Sequence, residues 1–246
     1  MSVLIDRRAL LVTGLGALGG CAAPAAAPLT LFAAASLSDV LTALSARFTD
    51  RTGRPTRTVF AGSGDVARQV LSGAPADLLV LADTEWMDRL ATANVLRPGS
   101  RVDLATNSLV VIAPADRPPS TFAWQGRIAI GDPGSVPAGR YARQMMQALG
   151  VWDGGDMTLI TAADVRAVRG FVARGEVDLG VVYRSDALGY DAVRVVATPP
   201  PDVQPRIVYP AALTTRAAEG AAGLMQFLAG AEARETFARH GFGAVS

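Results

Sequence analysis

FAGSGDVARQVLSGAPADLLVLAD, residues 60–83, holds the end of one strand, a sharp turn, a short helix and a complete further strand. Gly62-Ser63-Gly64 breaks the extended run that ends at Phe60. Val66, Val70 and Leu71 then recur at helical spacing, and Gly73 stops the helix. Residues 76–81 (ADLLVL) form an almost unbroken apolar run, as expected of a strand buried on both faces. Strand, crossover helix and strand are the unit from which parallel sheets are assembled.

The alternation continues on both sides of this stretch. Residues 29–33 read as a strand that enters a helix with Leu37, Val40, Leu41, Leu44 and Phe48 on one face. Strands are expected at 58–60, 109–113, 128–130, 158–160, 179–183, 193–197 and 207–209, and helices at 139–149, 164–173, 217–229 and 232–239. Trp86, Met87 and Met145 read as core, and His240 as a structural residue of the last helix. The fold class is α/β, with mainly parallel sheets covered by helices. Ligands of such sheets sit beyond the carboxyl ends of the strands. The residues there are small and polar: AAAS at 33–36, AGSG at 61–64, GDP at 131–133 and YRS at 183–185.

The chain has 246 residues, 50% of them hydrophobic, and a net charge of +1, enough for one large or two modest domains. Charges of both signs are interspersed, which argues against nucleic acid as a partner and against a disordered acidic tail. Lys is absent, and every basic side chain except His240 is Arg. A bias this complete is compositional and does not mark a phosphate-binding set.

Residues 1–28 read as a targeting segment and tether. Arg7 and Arg8 precede an apolar stretch, 9–20, too short for a permanent membrane span. Leu18-Gly19-Gly20-Cys21 then resembles a bacterial lipobox, with the sequence's single cysteine becoming the lipidated first residue of the mature chain. Ordinary signal cleavage within 22–27 is the alternative. No other segment is apolar and long enough to cross a membrane, so membrane contact is expected only through a lipid anchor at Cys21.

The strand ends can be set against what an oxyanion pocket needs. A buried dianion loses its water, and each oxygen then needs donors. Helix N-termini supply free N–H groups and the favourable end of a dipole, and hydroxyls add donors without formal charge. A hydrogen bond to a charged group is worth roughly 1.5–3 kcal/mol net, so about six of them suit binding of roughly −8 to −11 kcal/mol. Ser36, Ser63, the helix opening at Pro137-Ala138-Gly139, the opening at Asp164-Val165 and the Tyr183 hydroxyl are such donors. Taken singly, Ser36 and Ser63 would be helix N-caps and Tyr183 a core aromatic.

Seven ordered runs carry a more specific resemblance: FAAASLSDVL (32–41), residues 60–83, NSLVVIAP (107–114), IAIGDPGSVPAGRYA (128–142), DVRAV (164–168), LGVVYRSDA (179–187) and FARHGF (237–242). Across nearly all of 29–246 the chain resembles the molybdate-binding proteins of ABC transporters. The resemblance implies a two-lobed, periplasmic-binding-protein-like fold (type II) with mixed sheets flanked by helices and the ligand in the inter-lobe cleft. Lobe I is expected at 29–109 plus 197–246, and lobe II at 110–196. The implied ligand set is Ser36 and Ser63 from lobe I, with the Ala138 and Val165 N–H groups and the Tyr183 hydroxyl from lobe II. Molybdate or tungstate would be held through its oxygens, with no protein ligand to the metal and no cofactor. The implied partners are a membrane permease and its ATPase. The implied setting is the periplasm or the outer face of the cytoplasmic membrane, and the implied state a monomer.

Other readings follow from particular residues. Asp65, beside the Ser63 turn, could accept the proton of a hydrogen phosphate, or simply face solvent in the first turn of its helix. Sulfate, phosphate or a small organic anion would suit the same fold. A serine hydrolase is disfavoured, because A-G-S-G lacks the first glycine of a nucleophile elbow and the one imidazole is His240. No enzymatic activity is expected. His, Cys and carboxylates at metal-ligand spacing are missing from the sequence.

Overall fold

The computed structural model describes residues 27–154 and 156–245. The targeting segment and the lipidation expected at Cys21 lie outside the described residues.

Among the described residues ten strands form two five-stranded sheets. The first contains β1 (Leu29–Ala34), β2 (Thr56–Ala61), β3 (Leu78–Val80), β4 (Val102–Asn107) and the last strand, β10 (Ile207–Leu213), in the order β2-β1-β3-β10-β4. β1, β2 and β3 are parallel, and β10 runs antiparallel to both of its neighbours. The second sheet repeats this plan with β5 (Leu109–Pro114), β6 (Gly126–Gly131), β7 (Met157–Ala162), β8 (Leu179–Tyr183) and β9 (Val193–Ala197), ordered β7-β6-β8-β5-β9. Here β6, β7 and β8 are parallel, and β5 is antiparallel to β8 and β9.

The central strands are the apolar ones. β1, β5 and β10 are buried along their whole length, as a strand covered on both faces must be. The covering helices are α1 (Ser38–Thr52), α2 (Ser63–Leu71) and α3 (Thr84–Thr92) at the first sheet and α4 (Pro137–Ala148), α5 (Val165–Ala173) and the short α6 (Arg184–Ala187) at the second. α7 (Ala221–Leu228) and α8 (Ala231–Arg239) complete the chain against α1 and the first sheet. Met87 and Met145 are fully buried, Trp86 nearly so, and His240 caps α8 with its Nδ1 2.8 Å from the Thr236 carbonyl.

Two segments join the sheets. The outward one is only Ser108, between Asn107 at the end of β4 and Leu109 at the start of β5, and Leu109 already pairs with Tyr183. The return runs from Ala197 to Ile207. Gln204 ties the two together: its Oε1 accepts the Leu109 N–H at 2.9 Å and its Nε2 donates to the Leu109 carbonyl at 2.9 Å.

β4 and α6 have no counterpart among the elements expected from sequence. VDLATN alternates weakly and ends in polar residues, and its strand character comes from pairing with β10. The helix expected from 217 starts at Ala221, behind Gly220. α4 begins at Pro137, where its fixed φ suits a first helical position. Gly139 lets that first turn press onto β6: a Cβ there would collide with the Gly131 carbonyl oxygen.

Candidate functional site

The carboxyl ends of the parallel strands from both sheets face one another across a small cavity. Ser36, Ser63, Ala138, Val165 and Tyr183 all line it. The structure thus brings together all five residues singled out from the sequence, two from the first sheet's side and three from the second's.

Neither serine is a helix N-cap. Ser36 lies within a 3-10 turn, Ala35–Leu37, ahead of α1, and Leu37 takes the cap position. Ser63 is already the first residue of α2, behind Gly62. Their hydroxyls have other partners. Ser63 Oγ accepts the Ala82 N–H at 3.0 Å, so its own proton is free for the cavity. Ser36 Oγ lies 3.3 Å from the Tyr209 hydroxyl.

On the other side two helices start at the cavity. Asp132 organises the turn before α4, its carboxylate accepting the Gly134 N–H at 3.0 Å and the Ser135 hydroxyl at 2.8 Å. Ala138 follows Pro137 in the first turn, where N–H groups lack an intrahelical acceptor. Asp164 caps α5 by accepting the Ala167 N–H at 2.9 Å, which leaves the Val165 N–H in the equivalent free position. Asp164 is the carboxylate among the lining residues, and this bond turns it to its own helix. The Tyr183 hydroxyl is buried and finds no hydrogen-bond partner among the described residues. Burial pushes its pKa well above the ordinary value, so it stays a donor.

Positive charge stands behind this lining, already neutralised. Arg140, the residue after Gly139 on α4, pairs with Asp83 and, at 3.0 Å, with Glu85, both at the start of the first-sheet helix α3. Arg166 on α5 bridges Asp39 on α1 and Asp186 on α6, each at 2.8 Å. The pairs of Arg140 with Asp83 and Glu85, and of Arg166 with Asp39, join the two sides of the cleft, whereas Asp186 holds Arg166 from its own side. Sequence reasoning missed them, although PAGRYA, DVRAV, SLSDVL and LVLAD contain all but Asp186 and Glu85. Burial pushes the Asp186 carboxyl up to about 7 against the pull of Arg166 and Arg169.

Asp65 does not line the cavity. Its half-exposed carboxylate pairs with Arg68 at 2.6 Å, one turn along α2, so the idea that it accepts a ligand's proton is set aside. His240 is likewise not among the cavity residues, and Ser63 has no imidazole as hydrogen-bond partner. The two sides also touch through backbone. A Cβ on Gly62 would lie 2.8 Å from the Ala163 carbonyl oxygen across the cleft.

Comparison with known proteins bears on this geometry. The family model for bacterial extracellular solute-binding proteins matches residues 29–243. The molybdate-binding protein ModA of Escherichia coli (strain K12) is 38% identical over 226 residues, 87% of this chain and 88% of the relative. ModA of Haemophilus influenzae is 34% identical, covering 83% of this chain and 84% of the relative. The solved periplasmic molybdate-binding protein of Azotobacter vinelandii superposes with a TM-score of 0.78 at 25% identity, over 89% of this chain and all of that one.

Two outcomes follow. Gly62→Ala should leave the unfolding midpoint nearly unchanged but oppose close approach of the two sides, weakening anion binding about tenfold or more, as read by calorimetry. Asp186 has a folded-state pKa above its ordinary 3.8, so its stabilising contribution is full below 3.8 and is lost as pH rises through about 7. Urea unfolding between pH 5 and 7.5 should show that loss, and Asp186→Asn should flatten it. An unchanged slope in the variant would refute the assignment.

Proposed function

The chain belongs to the bacterial extracellular solute-binding proteins, and we propose that it captures molybdate, with tungstate as an equivalent ligand, outside the cytoplasm and delivers it to the permease and ATPase of an ABC importer. The observation that carries this is the Tyr183 hydroxyl: a buried donor without a partner among the described residues, in a cavity that also receives the first-turn N–H groups of α4 and α5. A buried polar group is almost always satisfied. A tetrahedral dianion satisfies this one and, at the same time, Ser36, Ser63, Ala138 and Val165. The donors are uncharged, so the ion is held by hydrogen bonds and helix dipoles while the nearby guanidinium groups stay paired with carboxylates.

The lobes in this proposal follow the expected division, 29–109 with 197–246 and 110–196, moved at each boundary because Leu109 and Ala197 belong to strands of the second sheet. Donors from both lobes meet the ion only when the cleft is closed, so binding shifts the population towards the closed form. One chain supplies the complete site, which fits a monomer. The Ser63 hydroxyl accepts from the Ala82 N–H and not from an imidazole, which supports binding without turnover. A lipid on Cys21 would hold the protein at the outer face of the membrane.

Calorimetry of the mature protein with molybdate, tungstate, sulfate and phosphate tests the ligand. Heat is expected with the first two only, and Tyr183→Phe should weaken molybdate binding by about tenfold or more, the worth of one hydrogen bond to a charged group. Equal binding of phosphate, or a silent Tyr183→Phe, would overturn the assignment. For the anchor, expression in a lipidating host should give a diacylglyceryl mass increment on Cys21, and an unmodified N-terminus at or beyond Ala22 would reject it.

A further inference from the structure

Ser36 differs from Ser63 in how its proton is aimed. A backbone N–H fixes Ser63, whereas Ser36 depends on side chains that do not line the cavity. Tyr209 on β10 places its hydroxyl 3.3 Å from Ser36 Oγ and 3.1 Å from Asn107 Nδ2. Asn107 is the last residue of β4, at the shorter joining segment, and the same Nδ2 lies 2.8 Å from Ser185 Oγ on α6.

Donor and acceptor roles follow from one fixed point. Asn107 Oδ1 accepts the Ser108 N–H at 2.9 Å, and reversing the amide would set two donors against each other there. Both Nδ2 hydrogens are therefore donated, one to Ser185 and one to Tyr209. Tyr209 is fully buried, so its own proton needs an acceptor, and among the described residues the one in reach is Ser36 Oγ. Ser36 then accepts from behind and its proton is left for the cavity. With the opposite polarity Ser36 would turn its proton away and the Tyr209 proton would be buried unbonded. The ring of Tyr209 is held independently of its hydroxyl, edge-on to Tyr183 at 5.9 Å and to Phe242 at 5.2 Å between centroids.

Taking Ser36 as an oxyanion donor, as proposed above, we infer that Asn107 and Tyr209 are positioning residues: a hydrogen-bond relay from the joining segment that holds the Ser36 hydroxyl as a donor towards the anion and so excludes ligands that bring a proton of their own. Through Ser185 the relay also reaches the second lobe beside Tyr183. Neither residue touches the ion.

The test is titration of molybdate and of inorganic phosphate into the full-length wild-type protein and the variants Ser36→Ala, Tyr209→Phe, Ser36→Ala/Tyr209→Phe and Asn107→Leu, with thermal melts confirming folding. Ser36→Ala should weaken molybdate about tenfold or more, and Tyr209→Phe about three- to tenfold. The double variant should bind no more weakly than Ser36→Ala alone, because Tyr209 acts only through Ser36. In Tyr209→Phe the Ser36 hydroxyl is released to accept, so the ratio of molybdate to phosphate affinity should also fall, and Asn107→Leu should shift both quantities the same way. If Ser36→Ala weakens binding while Tyr209→Phe does not, or if their effects multiply in the double variant, the relay is wrong and the anion site stands. A silent Ser36→Ala overturns the ligand assignment and the relay with it.

Discussion

A doubly charged anion can be taken out of water only if its oxygens are met by donors, and the donors that line this cavity carry no formal charge. This constraint accounts for the arrangement of the molecule. First-turn N–H groups are free only at helix starts, so helices α4 and α5 must begin at the cleft. Hydroxyls donate inwards only if something donates to them from behind, so Ser63 needs the Ala82 N–H. Two guanidinium groups stand nearby, yet each is already matched to carboxylates of the facing lobe. Neutral donors thus face the cavity, and the charged pairs link its two sides.

Much of the site was legible in the sequence because it depends on local rules. A strand end followed by small polar residues and a helix start is visible in a few consecutive letters, and Ser36, Ser63, Ala138, Val165 and Tyr183 all sit in such places. The N-cap alternative for the serines also came from local rules and failed on local geometry, since a 3-10 turn precedes α1 and Gly62 takes the cap of α2. What stayed hidden depends on distant pairing. Arg166 finds Asp39 across 127 residues of sequence, and Ser36 finds Tyr209 across 173. Nothing in either segment announces its partner. β4 was missed for a related reason, because VDLATN becomes a strand through β10, which arrives a hundred residues later.

The C-terminal FARHGF run also acquires a physical role. Phe237 and Phe242 stack edge-on at 5.4 Å, Phe242 meets Tyr209 and Tyr209 meets Tyr183, giving a file of rings from α8 to the cavity wall. Edge-to-face contacts fix ring orientation as well as burying area. A helix that is last in the chain thus buttresses a hydroxyl that faces the cleft.

Gln204 grips both backbone groups of Leu109, the N–H and the carbonyl, with a single planar amide. A clasp of that kind resists sliding of one joining segment past the other, because displacement along the strand breaks both bonds together. It offers far less resistance to bending about a line through them. The lobes are consequently disposed to open like the covers of a book instead of shearing, and the residues at the spine travel least while those at the rim travel most. Asn107, next to Ser108 and bonded to Ser185 and Tyr209, lies at that spine.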